Sequence, residues 1–244
     1  MSKTIALMLA VAAGLTMSTT AFAQSKDFDL AGFDRVDIAT GLDARVTPGD
    51  RFSVRAQSRS QDALDSLDIR IDDGVLRARI EQNFLDFIIS GGLVGLLLNS
   101  GNAVTIDITM PALTGVTASS GADVTVSGIH SERIDFDASS GANISATDAV
   151  LGQVTLTSSS GSGIEISGTA DALEADASSG ADIDAEDLTV ANATVNASSG
   201  ADVTLHATAS VRADASSGGD IRVHGNPATR DVDTSSGGDV SFRR

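Results

Sequence analysis

Residues 177–185, Ala-Ser-Ser-Gly-Ala-Asp-Ile-Asp-Ala, are one of seven copies of a short phrase in the C-terminal half of the chain. The other copies begin at residues 118, 138, 158, 197, 215 and 234, so their central glycines recur every 18 to 20 residues. A fixed period of about this length, with a glycine turn in every copy, is typical of a solenoid whose repeats stack on one another. The sequence therefore predicts an all-β, repetitive rod.

Apolar and polar residues alternate on both sides of each glycine. After Gly180, Ile183 is flanked by Asp182 and Asp184, and the seven residues before it alternate in the same way. Alternate side chains of a strand point to opposite faces, so the apolar set of every copy faces inward. We predict coils of about 20 residues, each with two or three short strands that lie parallel to their own copies, about 4.8 Å apart. The glycine gives the Ser-Ser-Gly corner its conformational freedom.

The region before the repeats has the same β character with irregular spacing. Residues 28–82 contain short alternating segments and tight turns, among them Asp72-Asp73-Gly74, and residues 61–67 could form one helical turn. We expect these residues to form irregular first coils that cap the rod, because an uncapped solenoid end exposes a strand edge. The predicted organisation is one continuous domain, residues 24–244. Residues 24–112 form its N-terminal coils and cap, and residues 113–244 form its seven repeat coils.

The first 23 residues have the pattern of a secretory signal peptide. Lys3 is followed by an apolar run from residue 5 to residue 17 and by Ala-Phe-Ala before Gln24. A buried first strand or a membrane anchor is the alternative, but the apolar run is too short to span a bilayer. We therefore predict export to the periplasm or cell surface of a Gram-negative-type bacterium.

Charge and cysteine content narrow the classes of partner. Loss of Lys3 with the leader leaves 15 of the 16 basic residues against 33 acidic ones, a net charge of −18. Nucleic acid and anionic membranes are poor partners for so acidic a protein. The chain has no cysteine, so packing and strand ladders alone must stabilise it.

Residues 84–99 form an apolar segment interrupted by glycines, with Asp86 as its one charged residue. They are too few for a convincing membrane span. One interpretation is a loop or short helix folded over the rod. The other is an exposed patch for self-association, a protein partner or a lipid surface. The candidate contact residues are Phe84, Phe87, Ile88, Ile89, Leu93, Leu96 and Leu97.

Several segments, taken in order, resemble one known family. They are residues 33–36 (Phe-Asp-Arg-Val), 73–76 (Asp-Gly-Val-Leu), 104–108 (Val-Thr-Ile-Asp-Ile), 110–113 (Met-Pro-Ala-Leu), the Ser-Gly coils and the turn at 224–227. The chain resembles the family described as "putative auto-transporter adhesin, head GIN domain". The resemblance implies a right-handed, β-helix-like solenoid, export and an adhesive role, and it brings no catalytic residues. Ser-Ser-Gly in place of Ser-Gly-Ser-Gly and the apolar segment 84–99 depart from the family pattern.

No residue pattern in the sequence predicts catalysis. Glycan-active β-helix enzymes need converging acids with a base in a groove built by long loops, whereas acids here occur in regular columns between short turns. Seven Ser-Ser-Gly turns contain no Gly-x-Ser-x-Gly nucleophile motif. A residue that recurs in every coil is better explained by structure, so no catalytic residue is predicted.

Cation binding is the other chemistry that the sequence raises. The stacked acids Asp182, Asp202, Asp220 and Asp239 could bind calcium through carboxylate oxygens, although solvated carboxylates that keep the rod soluble explain them as well. His206 and His224 occupy matching outward positions, flanked by Glu186 and Arg243, and could bind zinc or copper, or simply be exposed. No cofactor is required by either pattern.

The predicted function is therefore that of an exported, non-catalytic solenoid that serves as an adhesin or an envelope scaffold. Its partner would be a protein or glycan surface, with self-association as a further expectation. The alternatives are an envelope accessory protein that binds a partner through residues 84–99, and a cation-binding solenoid. A polysaccharide-active β-helix enzyme is the least favoured alternative.

Overall fold

The computed structural model describes residues 24–80 and 104–243. These residues form 17 strands and one short helix, α1 (Gln61–Asp65). The strands before the repeats are β1 (Gln24–Phe28), β2 (Arg35–Ala39), β3 (Asp43–Pro48), β4 (Ser53–Ser58), β5 (Leu67–Asp72), β6 (Val75–Ile80) and β7 (Thr105–Met110). The strands of the repeats are β8 (Gly115–Ser119), β9 (Asp123–Ser127), β10 (His130–Ser139), β11 (Asn143–Ser159), β12 (Gly163–Ser178), β13 (Asp182–Ser198), β14 (Asp202–Ser216), β15 (Asp220–His224), β16 (Thr229–Thr234) and β17 (Asp239–Arg243). The predicted β-solenoid is confirmed, with about six turns between the first and last Ser-Ser-Gly corners.

Each Ser-Ser-Gly corner is a tight turn with two left-handed residues. The second serine has φ between 51° and 58°, and the glycine has φ between 68° and 83°. Two consecutive positive φ values are the signature of a type I′ turn. In the first corner the Ala122 N–H donates to the carbonyl oxygen of Ser119 at 3.3 Å, which closes this turn. The left-handed serine was not predicted, because glycine alone was expected to carry the strained conformation.

The corners stack through their main chains. The Gly141 N–H donates to the Ser160 carbonyl at 3.2 Å, and the same bond joins the first six Ser-Ser-Gly corners in succession. The ladder also reaches back to Thr40-Gly41, where both residues have φ of 67° and the Gly41 N–H donates to the Ser120 carbonyl at 3.0 Å. Residues 40–41 are therefore an eighth corner, which lacks the Ser-Ser-Gly phrase.

Two arms meet at every corner, and each arm pairs with its own copies. Before the corner, parallel ladders run from β2 to β8, to β10 and through the second halves of β11, β12, β13 and β14 to β16. After the corner they run from β3 to β9, through the first halves of β11 to β14, and on to β15 and β17. The predicted parallel stacking of copies is what the structure shows.

The N-terminal end of the rod departs from this pattern. β2 and β3 form a regular coil, and β6 and β7 continue its two parallel ladders, β6 on β2 and β7 on β3. Beyond them β4 pairs with β7 and with β1 in antiparallel fashion, and β5 and β6 form an antiparallel hairpin. Ser60 caps the N-terminus of α1, where its Oγ accepts the Ala63 N–H, and the helix buries Leu64 against the rod. The N-terminal end therefore has two parallel layers, β2 with β3 and β6 with β7, which the antiparallel strands β5, β4 and β1 cover.

The interior is a column of small and branched apolar residues. Alanines line the corners, as at Ala118 and Ala122, and valine, isoleucine and leucine fill the arms. One corner has serines in place of both alanines. Ser158 and Ser162 are buried and hydrogen-bond to each other at 2.9 Å, and Ser162 also donates to the carbonyl of Ala138 or Ser159, both at 2.8 Å. The pair is thus satisfied in the core.

Differences in coil length are absorbed at the bend between the two arms of a coil, away from the corner. The ladders shift register between Ala146 and Ala149, and again between Ala185 and Thr189. The corners stay aligned because these residues bulge. Gly168 sits in one such bend with φ of 131°, where an added Cβ would come within 2.0 Å of a neighbouring backbone oxygen.

Candidate functional surface

The short corners leave the outward side chains of the two arms as the main lateral surfaces. We call the outward residues two, four and six positions after each corner glycine the corner-following face. The outward residues four, six and eight positions before it form the corner-preceding face. Both faces are flat ladders of equivalent positions, one residue per coil.

The acidic column of the corner-following face is less continuous than its sequence indicates. It contains Asp43 and Asp123 at one end and the predicted cation candidates Asp182, Asp202, Asp220 and Asp239 at the other. Between the two groups stand Asn143, which donates to the Asp123 carboxylate at 2.8 Å, and Gly163. Arg222 binds Asp202 at 3.0 Å and approaches Asp220 at 3.8 Å. A neighbouring arginine thus offsets part of the repulsion between these carboxylates.

At the N-terminal end of this column, the surroundings of the Asp43 carboxylate disfavour its charged form. Burial raises the pKa of Asp43, the negative charge of Asp123 raises it further, and Arg45 partly opposes both. The charged form of Asp43 therefore costs stability in the folded state.

The corner-preceding face spaces its charges by a different rule. Four positions before the corner, its ladder runs Asp37, Thr117, Asp137, Thr157, Asp176, Asn196, Asp214 and Asp233. A neutral residue separates the acids until the last pair, and the Asn196 amide donates to Asp176 at 2.6 Å. The alternation keeps most carboxylates two coils apart, which weakens their mutual repulsion.

Charge–charge interactions on this face are still significant at Asp37 and Asp137. Asp37 is paired with Arg79 at 3.0 Å and Arg77 at 3.7 Å. Burial and then the charge of Asp37 raise the pKa of Asp137. The column is therefore stable because neutral residues separate its carboxylates, and a further negative charge in it would lower the stability of the fold.

A groove, which we call the axial groove, runs along the rod axis on this face. It has a volume of about 390 Å³ and spans consecutive coils. Its walls are two ladders: Gln153, Ala172, Asn192, Ser210 and Thr229 on one side, and Glu174, Thr194, Arg212 and Asp231 on the other. The floor between the two ladders is formed by the strands themselves, at the buried apolar residues Leu173, Ala193 and Val211.

The side chains of the axial groove can both donate and accept hydrogen bonds. Ser210 donates to the Asn192 amide oxygen at 2.7 Å, and Arg212 forms an ion pair with Asp231. Sequence reasoning missed this groove because it concentrated on the aspartates. The signal that could have revealed it is the run of uncharged amide and hydroxyl residues eight positions before the glycines.

The two histidines are brought together as predicted by their spacing. His206 and His224 are direct ladder partners, and Arg243 follows His224 in the same ladder. Glu186 lies in the bulge that pairs Thr189 with His206, yet its Oε1 is 3.4 Å from Nδ1 of His224. The bulge moves Glu186 out of register, because it absorbs the extra length of that coil.

These groups do not assemble into a ligand set for a metal. Within residues 24–80 and 104–243, no group of three or more His, Asp or Glu side chains is arranged to hold a metal ion. Calcium at the aspartates and zinc or copper at the histidines remain predictions. A rise in melting temperature with calcium, larger than that from sodium chloride of equal ionic strength, would establish the first.

Two predicted segments lie outside the described residues. They are the signal peptide, residues 1–23, and the apolar segment 84–99 with its candidate contacts Phe84, Phe87, Ile88, Ile89, Leu93, Leu96 and Leu97. In the part of the chain that the structure describes, no helix is long and apolar enough to cross a membrane.

Taken together, the fold and its faces define a class: β-solenoids with short corners and two polar lateral surfaces. Solved structures with this fold include the following three. A putative adhesin from Bacteroides fragilis NCTC 9343 superposes with a TM-score of 0.75 at 16% identity, covering 91% of this chain and 97% of that one. A putative lipid binding protein from Parabacteroides distasonis ATCC 8503 gives 0.69 at 15%, with 91% and 97% covered. A putative adhesin from Parabacteroides merdae ATCC 43184 gives 0.63 at 13%, with 91% and 96% covered.

The sequence itself places the chain in a family. Residues 32–227 match the family described as "Putative auto-transporter adhesin, head GIN domain", and the chain belongs to that family. The resemblance inferred from the ordered motifs is thereby confirmed. The comparison with curated proteins gives no significant match.

Proposed function

We propose that this protein is an exported, non-catalytic, adhesin-like module that binds a protein or glycan surface through the polar lateral faces of its rod. The observation that carries the proposal is the axial groove, in which side chains of consecutive coils repeat at the strand spacing. An extended polymer laid along the rod would meet side chains at equivalent ladder positions in consecutive coils. The description of the family as an adhesin supports the same function.

The composition of the axial groove indicates the kind of binding. Asn192, Ser210 and Thr194 offer uncharged donors and acceptors, while Glu174 and Arg212 offer both signs of charge. The chain contains no Trp or Tyr, and no Phe lines the groove, so binding there does not use an aromatic platform. Each coil would therefore supply a weak polar contact, and affinity would come from repetition along the rod.

Paired alanine substitutions test which face binds. The variant Asn192→Ala with Thr194→Ala removes two outward polar groups of the axial groove. A matched control, Thr125→Ala with Ser145→Ala, removes two outward polar groups of the corner-following face. Both should leave the melting temperature nearly unchanged, since exposed polar truncations cost little.

The readout is adhesion of the purified protein to whole bacterial cells, to immobilised neutral and acidic polysaccharides, and to immobilised extracellular-matrix proteins. We expect the groove variant to bind several-fold more weakly than the control variant. Equal binding by both variants would reject the groove as the contact surface. Absence of binding to every surface would reject the adhesive function.

The apolar segment supports a second candidate function. Ten of the residues between 84 and 98 are large and apolar, and Asp86 is the one charge among them. The described residues on either side of it, Ile80 in β6 and Val104 before β7, lie in the N-terminal layers. We propose, as the alternative, that the protein is an envelope accessory that captures a protein partner through this segment.

The two candidates differ in one experiment. Ile89→Asp with Leu97→Asp should abolish capture of a partner from envelope extracts if the segment is the contact, and adhesion should survive. If the segment packs on its own rod instead, the free energy of unfolding should fall by several kcal/mol, as expected for buried unpaired charges. A change in neither quantity would exclude a contact role for the segment.

Export is the remaining part of the proposal. It is supported by the signal-peptide pattern of residues 1–23 and by the adhesin-like family. Expression with and without those residues, followed by cell fractionation, tests it. Retention of the full-length protein in the cytoplasm would refute export.

A further inference from the structure

The two ends of the rod are built differently. The N-terminal end is covered by the antiparallel strands β1 and β4, by the β5–β6 hairpin and by α1. The other end is formed by β16 (Thr229–Thr234) and β17 (Asp239–Arg243). Within residues 24–80 and 104–243, each of these two strands has a ladder partner on one side only. Their outer edges therefore present main-chain donors and acceptors to the surroundings.

The interior of the rod is also open at this end. Val240 and Phe242 continue the apolar ladders of Ile221 and Val223, but they are only partly buried, whereas those two residues are at most 1% exposed. Val232 continues the ladder of Ala213 and is 43% exposed. An edge strand with an apolar inward face is a template for pairing with another strand.

One arginine covers part of this end. Arg230 occupies an inward position, and its guanidinium lies 4.2 Å from the centroid of the Phe242 ring. It is held there by the Pro227 carbonyl at 3.2 Å and the Asn226 side chain at 2.9 Å. The guanidinium shields one face of the ring by a cation–π contact. It leaves the edge of β17 and part of the Val240 side chain uncovered.

The charge pattern of β17 indicates which strand could pair with its open edge, namely β17 of a second copy. The strand is Asp-Val-Ser-Phe-Arg, with Ser241 at its centre. If two copies of β17 pair in antiparallel fashion about Ser241, Asp239 of each lies opposite Arg243 of the other. Val240 then lies opposite Phe242 on the inward side. Opposite charges and apolar pairs directly across a ladder stabilise it, whereas parallel self-pairing would oppose like charges.

We propose that two copies of this protein join end to end through β17, forming a two-fold symmetric dimer with one longer rod. The contact is isologous, so it closes at two copies and does not grow into a filament. The two Asp239–Arg243 pairs set the register, and the joined interiors bury Val240 and Phe242. The corner-following faces of the two copies then run on in one sheet.

Dimerisation would give the proposed binding function a second set of contacts. Weak polar contacts per coil yield useful affinity when two rods bind the same surface, because the second event is intramolecular. The dimer itself stands on the end of the rod alone, so it can be tested without a ligand. Failure of the dimer would leave the single-rod binding proposal intact.

Charge reversal and its compensation form the test. Arg243→Asp alone and Asp239→Arg alone each place like charges opposite one another in the proposed ladder. Carrying both substitutions on one chain restores opposite charges with the signs exchanged. Arg133→Asp is the control, because Arg133 is an exposed arginine in a middle coil that hydrogen-bonds to Gln153. Sedimentation velocity over a concentration series gives the dissociation constant of each variant.

We expect a dimer in the unmodified protein and in Arg133→Asp. Each single reversal should weaken the dimer by about tenfold or more, since two cross-strand pairs change sign, and the double reversal should restore most of the affinity. A monomer at every concentration overturns the proposal. So do species that grow beyond a dimer, a dimer insensitive to the single reversals, or a double reversal that fails to restore association.

Discussion

The alternating column on the corner-preceding face predicts that a single added charge will destabilise the rod. Thr157 stands between Asp137 and Asp176 in the ladder and is half-buried. The substitution Thr157→Asp would put three carboxylates in adjacent coils, about 4.8 Å apart. Two unit charges at that separation repel by about 1 kcal/mol in water. Two new pairs therefore cost about 2 kcal/mol, less whatever the side chains recover by turning apart.

The assay is urea unfolding at pH 7, measured at low salt and again in about 1 M sodium chloride. We expect the free energy of unfolding to fall by about 1–2 kcal/mol at low salt. Most of that loss should disappear in 1 M salt, where the screening length of about 3 Å is shorter than the coil spacing. Lowering the pH toward 4 should also reduce the loss, because the carboxylates become protonated.

Thr157→Asn is the matched control, since asparagine occupies the equivalent position at 196 and donates to Asp176 there. It should change stability by less than about 0.5 kcal/mol. Two results would refute the reasoning: an Asp variant as stable as the unmodified protein at low salt, or equal losses for the Asp and Asn variants. Either would show that charge spacing does not matter on this face.

Three other predictions concern the charges, the bends and the buried serines of the coils. Asp137→Asn should stabilise the protein at neutral pH, because the raised pKa of Asp137 means that its charged form opposes folding. In a pH series of unfolding free energies, this gain should be full above the raised folded-state pKa and vanish as the pH falls below the unfolded value near 3.9. Gly168→Ala should lower the free energy of unfolding by several kcal/mol, because its Cβ would meet backbone at 2.0 Å; Gly180→Ala, with open space and φ of 68°, should cost about 1 kcal/mol. Ser162→Ala should cost about 1–3 kcal/mol by removing hydrogen bonds in the core, and adding Ser158→Ala should recover part of that loss in a double-mutant cycle.

Much of the candidate surface could be assigned from the repeat, but its electrostatics could not. Counting from each glycine places Asp182 and Asp202 in one outward column, and the ladder confirms that placement. The count does not show that Arg222 bridges Asp202 and Asp220, since a side chain's reach across coils depends on the rotamer it adopts. It also does not locate Glu186, whose position follows from a bulge that aligns corners of unequal coils.

What the sequence by itself determined is the architecture of the rod. A period of 18 to 20 residues, an alternation that never slips at the corners, and a turn phrase repeated seven times allow only parallel coils with an apolar interior. These are local signals, repeated until they are unambiguous, and each copy specifies the same turn and the same inward face.

Only the tertiary structure decided the ends and the surfaces. The antiparallel strands that cover the N-terminal coils, the eighth corner at Thr40-Gly41, the axial groove and the open edge of β17 all depend on segments that are distant in sequence. The Gly41 N–H meets the Ser120 carbonyl although 79 residues separate them. No local pattern encodes such a pairing, because it results from which free strand edges and apolar faces remain once the repeats have stacked.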